Sequence, residues 1–429
     1  MPADGVRWRP ERGAGWRRRL VIAAAVAAML AGTAIINRVL APAEVLTPAR
    51  TAYPDDVVRP ATGVIGTLTA APLIVDKRLR IYAAKRQVRA DRPTDAASVR
   101  TPYWSYRRWP AQLTGIVAED TTVVSRWSDN QLVALEAHTG RIAWRTGIPA
   151  GRRHGYDGRR TGAATVYTPP GLYTGRDRDG RAVVVVAEGT QLRGLDLVTG
   201  RVRWEAGLGG SCQSGGFTAA TGYFVTVDEC RSPHVIVFHD LATGAVAARW
   251  RPEPAGPVVD VAPVGCAIGR SGCSGMRTTS GGDSRGWLLD GKRPVAAPAL
   301  DPAEAWLVGD VVVAAPGASR RSMTGWSART GEELWRREVP DIQQVLAAQP
   351  GRVHLLSRAR ELVTLDAASG AVLSRFPLAY WRDPMDWSAG FVYASNGLVA
   401  VERLRQPVIP DADDPHYYLD IAPVILAGT

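Results

Sequence analysis

The stretch TQLRGLDLVTGRVRW, residues 190–204, decides the fold because it has the pattern of a complete β-hairpin. An alternating strand leads into a Thr-Gly turn, and a second strand follows that carries a bulky aromatic side chain. The same order recurs in NQLVALEAHTGRIAW (130–144), HVIVFHDLATGAVAARW (234–250), SMTGWSARTGEELW (322–335) and RELVTLDAASGAVLSRF (360–376). A hairpin repeated on this scale predicts an all-β propeller in which each repeat belongs to one blade.

Residues at equivalent positions of the five repeats, here called a column, are expected to form the turn, and two such columns contribute to it. Glycine adopts the positive φ of a hairpin reversal without a Cβ clash, and a hydroxyl just before it can bond the turn backbone. These residues are Thr139, Gly140, Thr199, Gly200, Thr243, Gly244, Thr330, Gly331, Ser369 and Gly370. Short oxygen-bearing side chains four residues before each glycine are predicted to close the turns rather than to form a ring of ligands. They are Glu136, Asp196, Asp240, Ser327 and Asp366.

The aromatic column is predicted to fill the gaps between neighbouring blades. Trp144, Trp204 and Trp335 each stand four residues after their turn glycine. In the other two copies, Trp250 and Phe376 arrive two places later. A large ring at one fixed place in each repeat indicates a shared packing role, so we expect these tryptophans to be buried.

The spacing of the turn glycines gives a blade count. They are 60, 44, 87 and 39 residues apart, so the longest interval should contain a degenerate blade with its turn at Asp290-Gly291. Strands GFVYAS (390–395) and LVAVERL (398–404) start one more blade. We therefore expect about seven four-stranded antiparallel blades, with six or eight as alternatives. Strands from the two chain ends should pair to close the ring, because an open edge invites aggregation. The candidates are GVIGTLT and PLIVDKRLRIYAA near the start and YYLDIAPVILA at the end.

The pattern L-x-x-L-D-x-x-T-G-x-x-x-W resembles the repeat of pyrroloquinoline-quinone (PQQ) enzymes and of their non-catalytic relatives, the PQQ-like β-propellers. The resemblance extends over roughly residues 60 to 426. The family contains quinoprotein alcohol dehydrogenases and also binding propellers, such as the lipoprotein of the outer-membrane barrel-assembly machinery. The resemblance implies the fold, whereas function depends on the site that the fold carries.

The resemblance does not extend to an enzyme site. PQQ dehydrogenases typically place two adjacent cysteines over the cofactor, and no two cysteines are adjacent in this sequence. The side chains that hold their Ca²⁺ match no position here, and the six histidines are scattered without the spacing of metal ligands. We therefore expect no catalytic residue, no metal site and neither PQQ nor calcium.

The N-terminal region is predicted to anchor the protein in a membrane. Residues 1–19 form a basic tail, and residues 20–36 are an uncharged apolar run within a predicted transmembrane helix over 20–40. Arginines before the helix favour a cytoplasmic N-terminus and an extracytoplasmic propeller over 59–429, joined through a linker at 41–58. The alternative is a cleaved signal peptide that ends at Ala41-Pro42-Ala43.

Four cysteines agree with an exported domain, since an even count there indicates disulfides. Cys266 and Cys273 flank a short loop and form the simplest pair, which leaves Cys212 for Cys230 among three conceivable connectivities. Zinc-type spacing is missing from these four cysteines, so a structural role is expected.

The chain carries a formal net charge of +11, with a pI near 9.8. Residues 77–110 hold ten Lys and Arg against two Asp, and GRRHGYDGRR (151–160) is a second basic stretch. Within the first stretch, an interaction surface is predicted from Tyr103, Trp104, Arg107, Arg108 and Trp109. Its partner would be an anionic lipid or envelope polymer, because an exported location argues against nucleic acid. The alternative is that these arginines merely solvate loops.

These features together predict a membrane-anchored, extracytoplasmic propeller that acts as a non-catalytic binding or scaffold module for a protein or an envelope polymer. A PQQ-dependent or other quinoprotein-type oxidoreductase is the alternative.

Overall fold

The computed structural model describes residues 14–40, 43–53, 61–77, 79–91, 102–149, 167–210, 212–252, 260–315, 322–379, 386–405 and 423–429. The basic stretch 151–160 and most of the basic tail 1–19 lie outside these residues, so predictions for them stay predictions.

Three elements precede the blades. Helix α1 (Ala14–Leu40) is followed by strands β1 (Ala43–Thr47) and β2 (Gly63–Leu68). Within the described residues, no helix combines the length and the apolar character needed to cross a membrane. The predicted transmembrane helix over 20–40 is therefore without structural support.

The remaining strands follow one another in groups of four. Blades 1 to 4 consist of β3 (Leu73–Val75), β4 (Leu79–Ala84), β5 (Gln87–Asp91), β6 (Trp104–Trp109), β7 (Leu113–Glu119), β8 (Thr122–Trp127), β9 (Gln131–Glu136), β10 (Ile142–Gly147), β11 (Leu172–Arg176), β12 (Ala182–Glu188), β13 (Gln191–Asp196), β14 (Val202–Gly207), β15 (Gln213–Ala219), β16 (Tyr223–Asp228), β17 (Val235–Asp240) and β18 (Val246–Trp250).

Blades 5 to 8 continue this order, with a single short 3₁₀ helix at Pro298–Leu300 in the described residues. Their strands are β19 (Asp260–Val264), β20 (Gly275–Ser280), β21 (Asp283–Leu288), β22 (Val295–Ala296), β23 (Trp306–Val308), β24 (Val311–Ala314), β25 (Ser322–Ser327), β26 (Glu333–Glu338), β27 (Ile342–Gln349), β28 (Arg352–Ser357), β29 (Glu361–Asp366), β30 (Val372–Pro377), β31 (Ser388–Ser395), β32 (Leu398–Leu404) and β33 (Val424–Gly428), and β2 completes blade 8.

The sheets have the arrangement of a propeller. Strands within each blade pair antiparallel in sequence order, as short hairpin connections allow. The first strands of neighbouring blades contact one another, for example β7 with β11 and β11 with β15. First strands therefore surround a central channel, and fourth strands lie at the outer rim.

The described residues form eight blades, so the predicted count of seven is wrong. Blade 1 is the one that the sequence pattern did not show. Residues 92–103 separate its strands β5 and β6, where the recognisable repeats have a Thr-Gly turn. The segment PLIVDKRLRIYAA, considered above as a closing strand, instead supplies β3 and β4 of this blade.

Pairing between the two chain ends closes the ring, as predicted. Strand β2 runs antiparallel to β33, with Gly63 opposite Gly428 and Leu68 opposite Val424. Strand β33 in turn pairs with β32. The last blade therefore combines strands from both ends of the propeller sequence, which ties its termini together.

The turns have the geometry that the repeat requires. The six glycines at 140, 200, 244, 291, 331 and 370 have φ between 68° and 81°. In blade 3, Asp196 accepts hydrogen bonds from the backbone N–H and the hydroxyl of Thr199, both at 2.9 Å. Asp366 closes the turn of blade 7 in the same way, and its bond from the Ser369 hydroxyl lowers the pKa of its carboxyl group. The acidic column is therefore part of the turns.

Tryptophans dock neighbouring blades together. Trp204 of blade 3 lies against Gly244 of blade 4, and its Nε1 donates to the Leu241 carbonyl at 2.8 Å. The same arrangement occurs for Trp104 on Gly140, Trp144 on Gly200 and Trp335 on Gly370. Trp250 does not lie on a turn glycine; its ring instead meets Trp287 of blade 5 edge-on, with 4.7 Å between ring centroids.

Candidate functional site

Both predicted disulfides are present. Cys212 is bonded to Cys230 and Cys266 to Cys273, with Cα–Cα distances of 5.2 Å and 3.7 Å. The second distance lies below the usual range of about 4.4–6.8 Å. Because disulfides persist in oxidising compartments, the two bonds indicate an extracytoplasmic location.

The second disulfide closes a hairpin, residues 265–274, which follows β19 of blade 5. The Cys273 N–H donates to the Thr218 carbonyl at 2.7 Å, in the first strand of blade 4. The Ser271 hydroxyl accepts a bond from the Thr174 N–H at 3.0 Å, in the first strand of blade 3. The hairpin therefore extends from blade 5 to blade 3 along the channel and is more than the local excursion that its short loop suggests.

A cavity of about 410 Å³ lies beside this hairpin, and we name it the channel cavity. The first strands of blades 5 to 8 contribute to its wall. Its larger apolar and aromatic lining residues are Tyr167, Val264, Ile268, Trp306, Leu307, Phe391, Val392 and Tyr393. A concave, mainly apolar site of this size lies in the range of about 300–1,000 Å³ that is common for ligand sites.

Arg277 is the one charged residue among the described residues that line the channel cavity. Its Nε donates to the Leu300 carbonyl at 2.9 Å, and its Nη2 donates to the Ala305 carbonyl at 3.0 Å. Burial lowers the pKa of this guanidinium, although an arginine remains charged at neutral pH. The two backbone bonds fix its position, and its remaining donors can serve an acceptor group in the cavity.

Two tyrosines make one side of the cavity rigid. The Tyr167 hydroxyl donates to the Ala71 carbonyl at 2.6 Å, and the Tyr393 hydroxyl to the Ile74 carbonyl at 3.4 Å. Burial raises the pKa of Tyr393 to about 12, so this hydroxyl stays neutral. Both bonds reach the start of blade 1. The bond of Tyr393 crosses the junction between blades 8 and 1, and the bond of Tyr167 comes from the segment before β11 of blade 3.

The described lining of the cavity is mainly apolar. Its described lining contains no carboxylate and no imidazole that could serve as a general acid or base. Nowhere among the described residues do three His, Cys, Asp or Glu side chains gather as metal ligands would. The arrangement can hold an apolar group and offer one fixed cation to an acceptor.

The predicted interaction surface is divided by the structure. Tyr103 and Trp104 are buried, with Trp104 docked in the blade 1–2 junction and the Tyr103 hydroxyl donating to the Thr51 carbonyl at 2.7 Å. The prediction is wrong for these two, because their rings belong to the core. Of the other members, Arg107 is exposed.

The two remaining members already have partners. Arg108 forms two hydrogen bonds with Asp129, at 2.8 and 2.9 Å. The Trp109 ring is 37% exposed, and the Arg86 guanidinium lies 3.7 Å from its centroid. An interaction role for these two side chains stays a prediction, with Arg108 paired to Asp129 and Trp109 exposed.

Strand β1 covers the outer edge of blade 1 beside these residues. It pairs with β6, placing Leu46 opposite Tyr106, and so adds a fifth strand to blade 1. The chain then reaches blade 2, where the Ala49 N–H donates to the Thr139 carbonyl at 2.8 Å. Residues 43–53, inside the predicted linker 41–58, therefore form an ordered clasp.

The sequence pattern did not identify the channel cavity. Its lining residues come from the first strand of several blades, and the repeated phrase covers only the third and fourth strands. The sole signal was the short Cys266–Cys273 loop, whose hairpin forms part of the wall.

Comparisons with known proteins agree with the repeat. Residues 97–264 match the family model described as outer membrane protein assembly factor BamB. No curated protein matches the chain. BamB from Moraxella catarrhalis is a similar solved structure, at 14% identity and a TM-score of 0.43, covering 86% of this chain and 99% of that chain.

Two further solved structures are similar at the same level. The C-terminal WD40 domain of Sif2 has 12% identity and a TM-score of 0.45, covering 87% of this chain and 99% of that one. The computationally designed Ika8 protein has 13% identity and a TM-score of 0.46, covering 86% and 100%. The sheets of the described residues show that the chain is an eight-bladed β-propeller, and its residues 97–264 are similar to the PQQ-like repeat family.

Proposed function

We propose that the chain is a non-catalytic, extracytoplasmic binding propeller that takes an apolar group of a protein partner into the channel cavity. The cavity carries this proposal, because its lining is apolar and aromatic with a single fixed cation. Such a lining favours an apolar side chain next to a backbone carbonyl or carboxylate. The net charge suggests an anionic envelope polymer as a partner, but the described lining of the cavity offers such a polymer only one cation, Arg277.

Two further observations support the proposal. The family whose model matches residues 97–264 is described by a protein assembly factor, which favours protein partners over a small substrate. The two disulfides favour an oxidising compartment for the propeller.

Membrane anchoring is a separate part of the proposal and rests on the sequence of residues 20–36. The apolar side chains of this run are exposed, including Val21 at 68% and Leu30 at 65%. We expect the full-length chain to stay with membranes during carbonate extraction. Release into the soluble fraction would reject the anchor and leave the binding function untouched.

The binding proposal is tested by cross-linking the full-length, affinity-tagged chain in native membranes. Ala303 is exposed and lines the cavity, so Ala303→Trp should block it without altering the packed core. Val198→Trp is the matched control, because Val198 is 71% exposed on a turn of blade 3.

We expect partner capture to fall at least about tenfold in Ala303→Trp and to stay near wild type in Val198→Trp. Equal capture by both variants would contradict a role for the cavity. Adding PQQ and Ca²⁺ to the purified chain tests the oxidoreductase alternative, and new absorbance with dye reduction would favour that alternative.

A further inference from the structure

The junction between blades 4 and 5 lacks the tryptophan that fills four other junctions. Ala248 stands at the position equivalent to Trp204, and it pairs with Phe238 of the neighbouring strand. No heavy atom lies within 4 Å of the place where a Cβ on Gly291 would stand. The place beside the turn glycine, which a tryptophan ring fills at the four other junctions, is therefore open at this one.

A groove of about 720 Å³ lies in this gap, and we name it the rim groove. One wall comes from blade 4 and the other from blade 5. Five exposed arginines line it, namely Arg231, Arg249, Arg251, Arg285 and Arg293. Arg231 directly follows Cys230, so the disulfide to Cys212 restrains that end of the groove.

The charge of the rim groove is largely uncompensated. Among the residues that the structure describes, no acidic residue lines the groove, and Arg231 is the only one of the five arginines with a salt bridge, to Asp228 at 3.2 Å. Elsewhere on the rim, arginines of the fourth strands do have acidic partners. Arg203 pairs with Asp177 at 3.1 Å, for example, within blade 3. A concentration of unpaired guanidinium groups in one concave surface attracts anionic groups.

The floor of the rim groove is apolar. Trp250 is half-buried and meets the buried Trp287 edge-on, with 4.7 Å between ring centroids. Val235, Pro294 and Ala296 extend this floor on both sides. A ligand that fits must therefore present anionic groups to the walls and apolar groups to the floor.

We propose that the rim groove binds an acidic segment of a partner polypeptide, whose carboxylates contact the arginines while its apolar side chains rest on Trp250. Guanidinium groups bind carboxylates through paired hydrogen bonds, which gives the contact both strength and orientation. A uniformly charged polymer, such as a polyphosphate, would pair its charges with the arginines of the walls. It would also place charged groups against the apolar floor, which is unfavourable. The floor therefore favours a peptide.

The test uses a fluorescein-labelled peptide of alternating glutamate and leucine, with binding to the full-length chain followed by fluorescence anisotropy at about 0.15 M salt. Arg249→Glu combined with Arg285→Glu reverses one charge on each wall, at exposed positions. We expect the dissociation constant to rise at least about tenfold. Thermal melts should be unchanged, since neither side chain is packed.

The matched control is Arg141→Glu combined with Arg201→Glu. These exposed arginines follow the turn glycines of blades 2 and 3, so the control has the same change in net charge. We expect its affinity to remain within about twofold of wild type. A similar loss in both double variants would show that only the overall charge matters and would overturn the proposal.

Two probes distinguish a peptide site from a general anion site. A peptide of alternating glutamate and serine, and inorganic polyphosphate, should both bind more weakly than the glutamate–leucine peptide. If either binds equally well, the apolar floor has no role and the proposal is wrong.

The proposal rests on the proposed protein-binding function and identifies a second contact for the same partner. In the cross-linking experiment, the rim-groove variant should capture less partner than wild type although its channel cavity is intact. Normal capture by that variant rejects the rim groove alone. Capture that survives Ala303→Trp but not the rim-groove variant rejects the channel cavity alone.

Discussion

The indole ring of Trp204 lies directly against the backbone of Gly244 in the next blade, where any Cβ atom would overlap it. The Trp204 Nε1 also donates to the Leu241 carbonyl at 2.8 Å, three residues before that glycine. One side chain therefore fills the gap between two blades and satisfies a backbone acceptor. The repeated Thr-Gly and Trp positions are two sides of one contact between neighbouring blades.

Replacing Gly244 with alanine should destabilise the protein by about 2–5 kcal/mol, because a left-handed backbone and a clash with Trp204 are combined. Gly291→Ala is the matched control. Its φ is 81°, close to the 73° of Gly244, but its Cβ would meet no atom within 4 Å. It should cost about 1–2 kcal/mol, which chemical denaturation can resolve. Equal losses would show that docking adds nothing to the requirement for glycine.

Trp104→Ala should destabilise the protein by about 3–5 kcal/mol, as expected for a buried large aromatic residue. Trp144 and Trp204 should fall in the same range. Trp109→Ala, five residues along the same strand, should cost less than about 1 kcal/mol because its main contact is with the Arg86 guanidinium. Thermal melts of the two variants would settle this. A larger loss for Trp109 would contradict the burial described for β6.

Stability should fall as the pH is lowered from 7 to 5, in part because of His354. Burial first, and the nearby Arg352 second, lower the pKa of this imidazole to about 3, compared with 6.5 ordinarily. Below pH 6.5 the unfolded chain binds a proton that the folded chain does not. Folding stability therefore decreases by about 1.4 kcal/mol per pH unit from this site, or about 2 kcal/mol at pH 5.

His354→Gln provides the control for that prediction. It keeps a neutral side chain that can bond Thr364, which lies 3.1 Å from His354 Nδ1. Denaturation curves at both pH values should show a smaller pH effect in the variant. The same pH dependence in variant and wild type would mean that His354 titrates normally.

Removing the Cys212–Cys230 disulfide by changing both residues to serine should cost about 3 kcal/mol, judged from the chain-entropy model for a loop of this size. The loss should be local to blade 4 and the rim groove. Intact mass measurement of unreduced protein from its native envelope should show that none of the four cysteines is free. Four free thiols would contradict both disulfides and the extracytoplasmic location.

Much of the fold could be predicted from the sequence, because each repeat contains both the residues that form its turn and the tryptophan that packs between blades. Blade 1 was missed because residues 92–103 replace its Thr-Gly turn, although Trp104 stands 40 residues before Trp144. With its basic neighbours, Trp104 has the sequence pattern of a surface aromatic residue. In the sequence, a tryptophan that packs between blades cannot be distinguished from a surface aromatic residue until the glycine that it packs against is known.

The two candidate binding surfaces could not be predicted in the same way. The channel cavity draws small and aromatic residues from the first strands of blades 5 to 8, which carry no repeated phrase. The rim groove brings together arginines spread from 231 to 293, and the only local hint was Ala248 in place of a tryptophan. Both surfaces depend on how neighbouring blades pack against one another, which the repeated phrase does not specify.

Site-specific photo-cross-linking tests the central claim, binding of a protein partner at the channel cavity, most directly. A photoreactive amino acid replaces Ala303 at the cavity or, as the control, Val198 on the outside of blade 3, and native membranes are irradiated. The account predicts a discrete protein adduct from position 303 that position 198 does not give. No adduct from position 303, or the same adducts from both positions, would contradict it.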